Sequence, residues 1–257
     1  MEDQPLVTVI TPTTGNIFLY DALVSIREQT YKNIEHYVVI DGVERQEKAM
    51  CILKNFPEVK LLTLPYPTGK DNFAESKYFY NGHRIHAAAT YLCNGKYISF
   101  LDEDNYYEPD HISSCVDLVK KGYDWVYSLR NIIGQDKKFI CQDNCESLGR
   151  WRSVINSNLI DVGCYFLSKV SALIISPLWY RRARHPNEQP EADRIIADTL
   201  MKNIPNFECT YKYTLNYRVG SRHDSVQGKF FEEGNALMLK AYNGLLPWKN
   251  NGSDLYT

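Results

Sequence analysis

Short apolar runs alternate with amphipathic stretches through the first hundred residues. Leu6–Thr11 (LVTVIT) is rich in β-branched residues and closes with Pro12 and then Gly15-Asn16, which predicts a buried strand and a loop. Phe18 to Gln29 carries apolar residues at 19, 22, 23 and 26, a helical period. Asn33–Asp41 (NIEHYVVID) reads as a second strand ending at Asp41-Gly42, Glu44 to Phe56 as a helix, and Val59–Leu64 as a third strand. A loop with two prolines and a glycine follows from Pro65 to Ala74. Asn81 to Cys93 predicts a helix in which Ala87, Ala88 and Ala89 allow close packing. Ile98–Leu101 is then an apolar run long enough for a buried strand and too short for a helix.

Strands that are apolar nearly throughout, alternating with helices, predict an α/β fold with a mostly parallel sheet covered on both faces. The second half is less regular. Helices are expected at Asp110 to Lys121, Ser168 to Ser176, Glu191 to Asn203 and Lys229 to Tyr242. Strands are expected at Trp125–Leu129, Lys138–Cys141 and Tyr211–Tyr217. Asn144 to Ile155 reads as loop or short helix, and Trp179 to Pro190 as a polar, basic loop. The tail from Leu246 reads as mobile. No linker separates the halves 1–112 and 113–257, so 1–257 is expected to be one domain with two lobes.

The chemistry concentrates where the 98–101 run breaks into Asp102, Glu103 and Asp104. Three adjacent carboxylates repel, and a divalent cation such as Mg²⁺ or Mn²⁺ is the usual reason to tolerate them. In an extended segment Asp102 and Asp104 share a face. One can meet a sugar nucleotide and the other the metal. The plain alternative is an acidic loop leading into the helix after Pro109. Thr11-Pro12-Thr13, Asp41-Gly42 and the three acids all fall at the carboxyl ends of predicted strands, where open α/β sheets bind ligands. That convergence favours a ligand site.

Composition narrows the classes. Apolar residues make up 44% of the 257, enough for a sizeable core, and the net charge of -2 forces no basic face for nucleic acid. No run approaches the roughly 20 apolar residues of a membrane span. The N-terminal MEDQP lacks a signal-peptide pattern. The seven scattered cysteines contain no CxxC, which suits reduced thiols and a cytoplasmic location.

PLVTVITPTTGN, LVSIREQTYKNIEHYVVIDG and NGHRIHAAATYLCNGKYISFLDEDNYYEPDHI, in this order and spacing, resemble the family 2 glycosyltransferases of the GT-A fold. The resemblance covers residues 5–112 and is looser beyond, at PEADRIIADTL and VGSRHDS. It implies a metal-dependent, inverting transfer of a sugar from a nucleoside diphosphate donor, UDP by default, to a glycan or other acceptor. It implies that Thr11, Pro12, Thr13 and Asp41 hold the donor base, that Arg84 approaches the diphosphate, that Asp102 lies near the ribose or sugar, and that Asp104 binds Mn²⁺ or Mg²⁺. Glu103 occupies the middle of the metal motif and matters little if it points away. His223 can complete the metal's shell.

In place of the family's Glu-Asp pair before the late helix stands Glu191-Ala192-Asp193, so Asp193, Glu191 and Asp161 all stay open as catalytic base. The resemblance favours Asp193. His83 and His86, at i and i+3, read better as packing than as ligands, and Trp179 suits core or sugar stacking equally. The Arg181-Arg182-Ala183-Arg184-His185 run reads as a solvated loop and leaves a peripheral membrane contact open. The competing class is a nucleotide-sugar-binding module or a nucleotidyltransferase. The latter usually carries a glycine-rich, basic first loop, and TPTTGNIF has one glycine and no lysine or arginine.

Overall fold

The computed structural model describes residues 4–68, 82–154, 157–180, 192–221 and 226–249. The elements run β1 (Val7–Thr13), α1 (Leu19–Arg27), β2 (Ile34–Ile40), α2 (Gln46–Leu53), β3 (Lys60–Thr63), α3 (His83–Leu92), β4 (Tyr97–Phe100) and β5 (Tyr106–Tyr107). They continue as α4 (His111–Val119), β6 (Trp125–Ile133), β7 (Phe139–Gln142), β8 (Tyr165–Ser168), α5 (Lys169–Ile175), α6 (Ala192–Asn203), β9 (Phe207–Arg218) and α7 (Gly228–Ala241). The strands form one sheet in the order β3-β2-β1-β4-β8-β6-β9-β5, with β7 paired to β6.

The first half is the expected βα alternation: β1 is parallel to β2 and β4, and β2 is parallel to β3. In the second half β8 pairs antiparallel with β4 and β6, while β6 and β9 are parallel. Strand β2 shows why both faces are covered. Val38 and Ile40 pack with Leu19, Leu23, Ala49, Leu53 and Phe56 from α1, α2 and the loop after it. Val39, one residue out of phase, joins the main core with Val7, Val9, Ile85 and Ala89. Each such fully buried aliphatic side chain contributes about 1.5–3 kcal/mol over an exposed one.

The structure corrects the sequence reading in three places. Tyr106–Tyr107 forms a two-residue strand against Asn216 and Leu215 of β9, a partner too distant in sequence for any local pattern. Strand β6 runs on to Ile133, because β9 and β7 continue its ladder after β8 has ended. The tail is anchored as far as Lys249: Trp248 is fully buried, and its indole Nε1 donates to Asn144 Oδ1 at 2.8 Å. All seven cysteines are free thiols. Among the described residues no helix is long and apolar enough to cross a membrane.

Candidate functional site

Parallel registry aligns the carboxyl ends of β1, β2 and β4. Thr13 lies opposite Ile40 and Ile10 opposite Phe100. The Asp41 amide donates to the Thr13 carbonyl at 2.9 Å, and the Leu101 amide to the Ile10 carbonyl at 2.9 Å. Asp41, the loop 13–16 and Asp102–Asp104 therefore meet at one edge. Helix α3 begins there too. A Cβ on Gly82, at φ +83°, would come within 3.0 Å of the Pro12 ring, so a bare backbone is needed where the helix abuts β1. This puts Arg84 in the first turn of a helix that starts at the site.

Glu103 does not point away. Its carboxylate accepts from Thr13 Oγ1 at 2.5 Å, Thr14 Oγ1 at 2.6 Å, and the amides of Thr14 and Asn16 at 3.1 and 3.0 Å. The middle acid is a latch that fixes the loop after β1. Asp41 is also a hub. It accepts from Arg45 Nη1 at 2.7 Å, and from the amide and hydroxyl of Thr68 at 2.6 and 2.8 Å. Thr11 is buried with its hydroxyl 2.9 Å from His36 Nε2, while Thr13 uses its oxygen on Glu103 and on the amide of Gly15.

Asp102 is 38% exposed at its side chain. Burial of the remainder, then the charges of Asp104, Asp161, Asp193 and Glu103, push its pKa well above the ordinary carboxylate range. His86 is no counter-ion. Burial, and then His83, hold its ring well below the usual histidine value, and its Nε2 lies 3.8 Å from Asp102 Oδ1, beyond hydrogen-bond reach. His83, His86, Phe100 and Trp179 form an aromatic cluster with ring centroids 5.1–6.2 Å apart. Trp179 is buried, which makes it core and not a sugar platform. Asp104 accepts from Ser221 Oγ at 2.7 Å. The buried Arg218 ties the acidic loop down, donating to the Asp104 carbonyl at 2.9 Å and to Asp21 of α1 at 2.7 Å.

The three base candidates separate. Asp193 lies in the first turn of α6, and its charge is among those that raise the pKa of Asp102. Asp161 is committed elsewhere. One oxygen accepts from Arg130 Nη1 at 2.5 Å, and the other caps the short 3₁₀ turn Val162–Cys164 through the Gly163 amide at 2.9 Å. Glu191, His223 and the Arg181–His185 run lie outside the described residues. Among the described residues no three His, Cys, Asp or Glu side chains gather into a metal cage.

Sequence reasoning missed Arg130 altogether. It is buried on β6 and donates to Asp143 at 2.8 Å and to Asp161 and Glu146 at 2.5 Å each, with its guanidinium 4.3 Å from the Tyr217 ring centroid. A lone arginine inside the apolar strand run WVYSLRNII was the available signal, since such a charge must be paired.

Residues 83–174 match the family described as Glycosyl transferase family 2. No curated protein sequence matches. Among solved structures, S. aureus TarS 1-349 is 12% identical, covering 97% of this chain and 75% of that one at a TM-score of 0.59. The same fragment in complex with UDP-GlcNAc is 15% identical over 91% of this chain and 66% of that one, at 0.58. Against the longer S. aureus TarS structure the identity is 13%, with 98% of this chain and 46% of that chain covered, at 0.59. At these identities the likeness is one of fold.

Proposed function

We propose that this chain, whose residues 83–174 match glycosyl transferase family 2, moves a sugar from a nucleoside diphosphate donor to a hydroxyl of a glycan or other acceptor. Transfer inverts the anomeric carbon and uses Mn²⁺ or Mg²⁺. The observation that carries this reading is the meeting of strand ends: Asp41 bonds to Thr13, Leu101 bonds to Ile10 and Glu103 ties down the loop 13–16, which brings Asp41, Asp102 and Asp104 to the one edge where β1, β2 and β4 end. Like charge gathered at a ligand edge fits a cation and a donor better than it fits a fold.

The residues present suit such a cation. Hard divalent ions are often held by one or two carboxylates with substrate phosphates completing the shell. Asp104 and Asp102 would hold it, with His223 as a further ligand, and it would supply positive charge against the leaving diphosphate. Arg84 adds a fixed positive charge near the same group. Glu103 orders the loop 13–16 and Asp41 the segment at Thr68, so both shape the base pocket around Thr11, Pro12 and Thr13. UDP is the first nucleotide to try. The family resemblance favours it, and TarS structures carry UDP-GlcNAc and UDP.

In the transfer step the acceptor oxygen bonds to the anomeric carbon as the bond to the diphosphate breaks. The hydroxyl proton goes to a carboxylate, for which Asp193 is the choice. The α6 N-terminus favours its ionised form. Arg130 already holds Asp161. Residues 1–257 are read as one domain, a donor half at 1–112 and an acceptor half at 113–257, and the β4–β8 ladder across the two halves supports this.

The test is release of nucleoside diphosphate from a panel of nucleotide sugars with Mn²⁺, compared with Asp104→Asn. Metal-dependent release that the variant loses supports the reading. Pyrophosphate consumption in place of release would move the chain to the nucleotidyltransferases.

A further inference from the structure

We infer that His86 is a positioning residue of the acidic site, donating from its ring Nε2 to the Asp102 carboxylate as the site takes its donor. This role presupposes the transferase reading, in which Asp102 and Asp104 hold the cation. The three adjacent acids are not held alike. Glu103 accepts from Thr13, Thr14 and Asn16, and Asp104 accepts from Ser221 Oγ at 2.7 Å. Asp102 is bonded through its main chain, its carbonyl accepting from the Asn105 amide at 3.1 Å. Among the described residues the polar group facing its carboxylate is His86, whose Nε2 lies 3.8 Å from Oδ1. Carboxylates that hold a metal are as a rule themselves hydrogen-bonded, because that bond fixes their orientation.

His86 also differs from the other buried histidines among the described residues. His36 meets Thr11 Oγ1 at 2.9 Å, and His111 meets Thr214 Oγ1 at 2.8 Å. His86 is fully buried, and neither of its ring nitrogens has a hydrogen-bond partner. A buried polar group without a partner costs stability that an apolar ring in its place would not. Packing alone asks for such a ring, since Phe100 and Trp179 flank His86 with centroids 5.1 and 5.3 Å away. A departure from the packing rule beside an acidic site marks function rather than architecture. A neutral imidazole offers one N–H, which on Nε2 meets Asp102 and adds no charge to the site. The 3.8 Å separation is long for a hydrogen bond, and functional hydrogen bonds often tighten only when the ligand arrives. Helix α3, which carries both His86 and Arg84, begins at this edge, so the ring is held by a rigid element.

The experiment pairs His86→Phe with His86→Gln in the full chain. Phenylalanine keeps a ring in the cluster and removes both nitrogens, whereas glutamine puts an N–H donor near where Nε2 stands. Calorimetric titration with UDP and Mn²⁺ should show the Phe variant weaker than wild type by about 10–100-fold, the usual loss when the partner of a ligating residue is removed. The Gln variant should recover part of that loss. Without ligand, the Phe variant should melt at the wild-type temperature or a few degrees above it. A histidine that only packs would give the reverse, lower melting with binding unchanged. Equal affinity in wild type and the Phe variant overturns the role. So does a Gln variant that binds no better than Phe, or a Phe variant that melts several degrees lower. Failure of the transferase reading has a different signature: wild type then takes none of UDP, GDP, CDP and dTDP, and the role of His86 falls with it.

Discussion

Two groups of carboxylates sit close together in this fold and differ in kind. Asp143, Glu146 and Asp161 surround Arg130, each bonded to it. That group carries its own cation, and for Asp143 the pairing, with the amides of Ser147, Cys145 and Glu146, outweighs burial and lowers its pKa, whereas for Glu146 burial prevails and its pKa rises. Asp102 stands under the charges of Asp104, Asp161, Asp193 and Glu103, and its pKa rises. Burial acts on both carboxylates in the same sense, so the difference comes from the neighbours. An acid cluster with an arginine inside it is architecture, whereas the one at the ends of β1, β2 and β4 stands where open α/β sheets bind ligands. Asp161, which touches the first group and acts on the second, marks the boundary.

The largest effect should come from breaking the architectural group. Arg130→Met fills similar space and leaves three buried carboxylates without their partner. Removing one member of a buried ion pair costs about 3–5 kcal/mol, a fall of roughly 10 °C in melting temperature for a chain of this size. Asp104→Asn, which removes one of the like charges at the other group, should leave the melting temperature unchanged or raise it. Differential scanning calorimetry of both variants without metal decides. Equal falls in both variants would erase the distinction between the groups.

Asp193→Asn follows, and it sharpens the ligand-facing group from the acceptor side. It keeps size and polarity and removes the proposed base, so transfer should slow by about 10²–10⁴. Donor affinity, read by calorimetric titration, should stay near wild type. Asp161→Asn should instead lose stability through Arg130. If the Asp161 variant folds normally and alone loses transfer, the roles are exchanged.

A pH series gives a smaller effect. The folded pKa of Asp143 lies below its unfolded value, so the stability it contributes is full above the usual carboxylate range and is lost as pH falls through the lowered value. The stability gap between wild type and Asp143→Asn should therefore be widest near neutrality and shrink below about pH 4. A gap independent of pH would mean that packing, and not the ion pair, sets the cost of the substitution.

What the chain discloses by itself follows from distance along it. Asp102 and Asp104 were legible because one short apolar run and its ending carry the signal. The ends of β1 and β2 were legible for the same reason, and their convergence needed only the rule for parallel sheets. Glu103 was misjudged because its partners Thr13, Thr14 and Asn16 lie 87 to 90 residues away. Arg130 and Asp161, 31 residues apart, look like two unrelated charges until β6 and the turn after Ile160 are brought together. Strand β5 is two residues long and exists only because β9 returns beside it. Apolar periodicity reports which face is buried, and it is silent about which polar atom meets which.

The smallest expected effect falls on Asp41, and it separates an anchor from a reader of the base. Its carboxylate already accepts from Arg45 and twice from Thr68, so its influence on a nucleotide passes through the segment it pins. Asp41→Asn keeps an oxygen for the Thr68 amide and hydroxyl and gives up the charge that faces Arg45. The exposed part of Arg45 keeps that loss small, because water screens the pair. Replacing one hydrogen bond of this kind changes binding by about 0.5–1.5 kcal/mol, a few-fold to roughly tenfold in the dissociation constant of UDP. Asp41→Ala removes the anchor for Thr68 as well and should weaken UDP more than the asparagine does. Titration calorimetry of both variants, with the melting temperature as a control, reads the two steps. If alanine and asparagine weaken UDP equally, with melting unchanged, Asp41 acts on the nucleotide directly through its charge, and its bonds to Thr68 are incidental to binding.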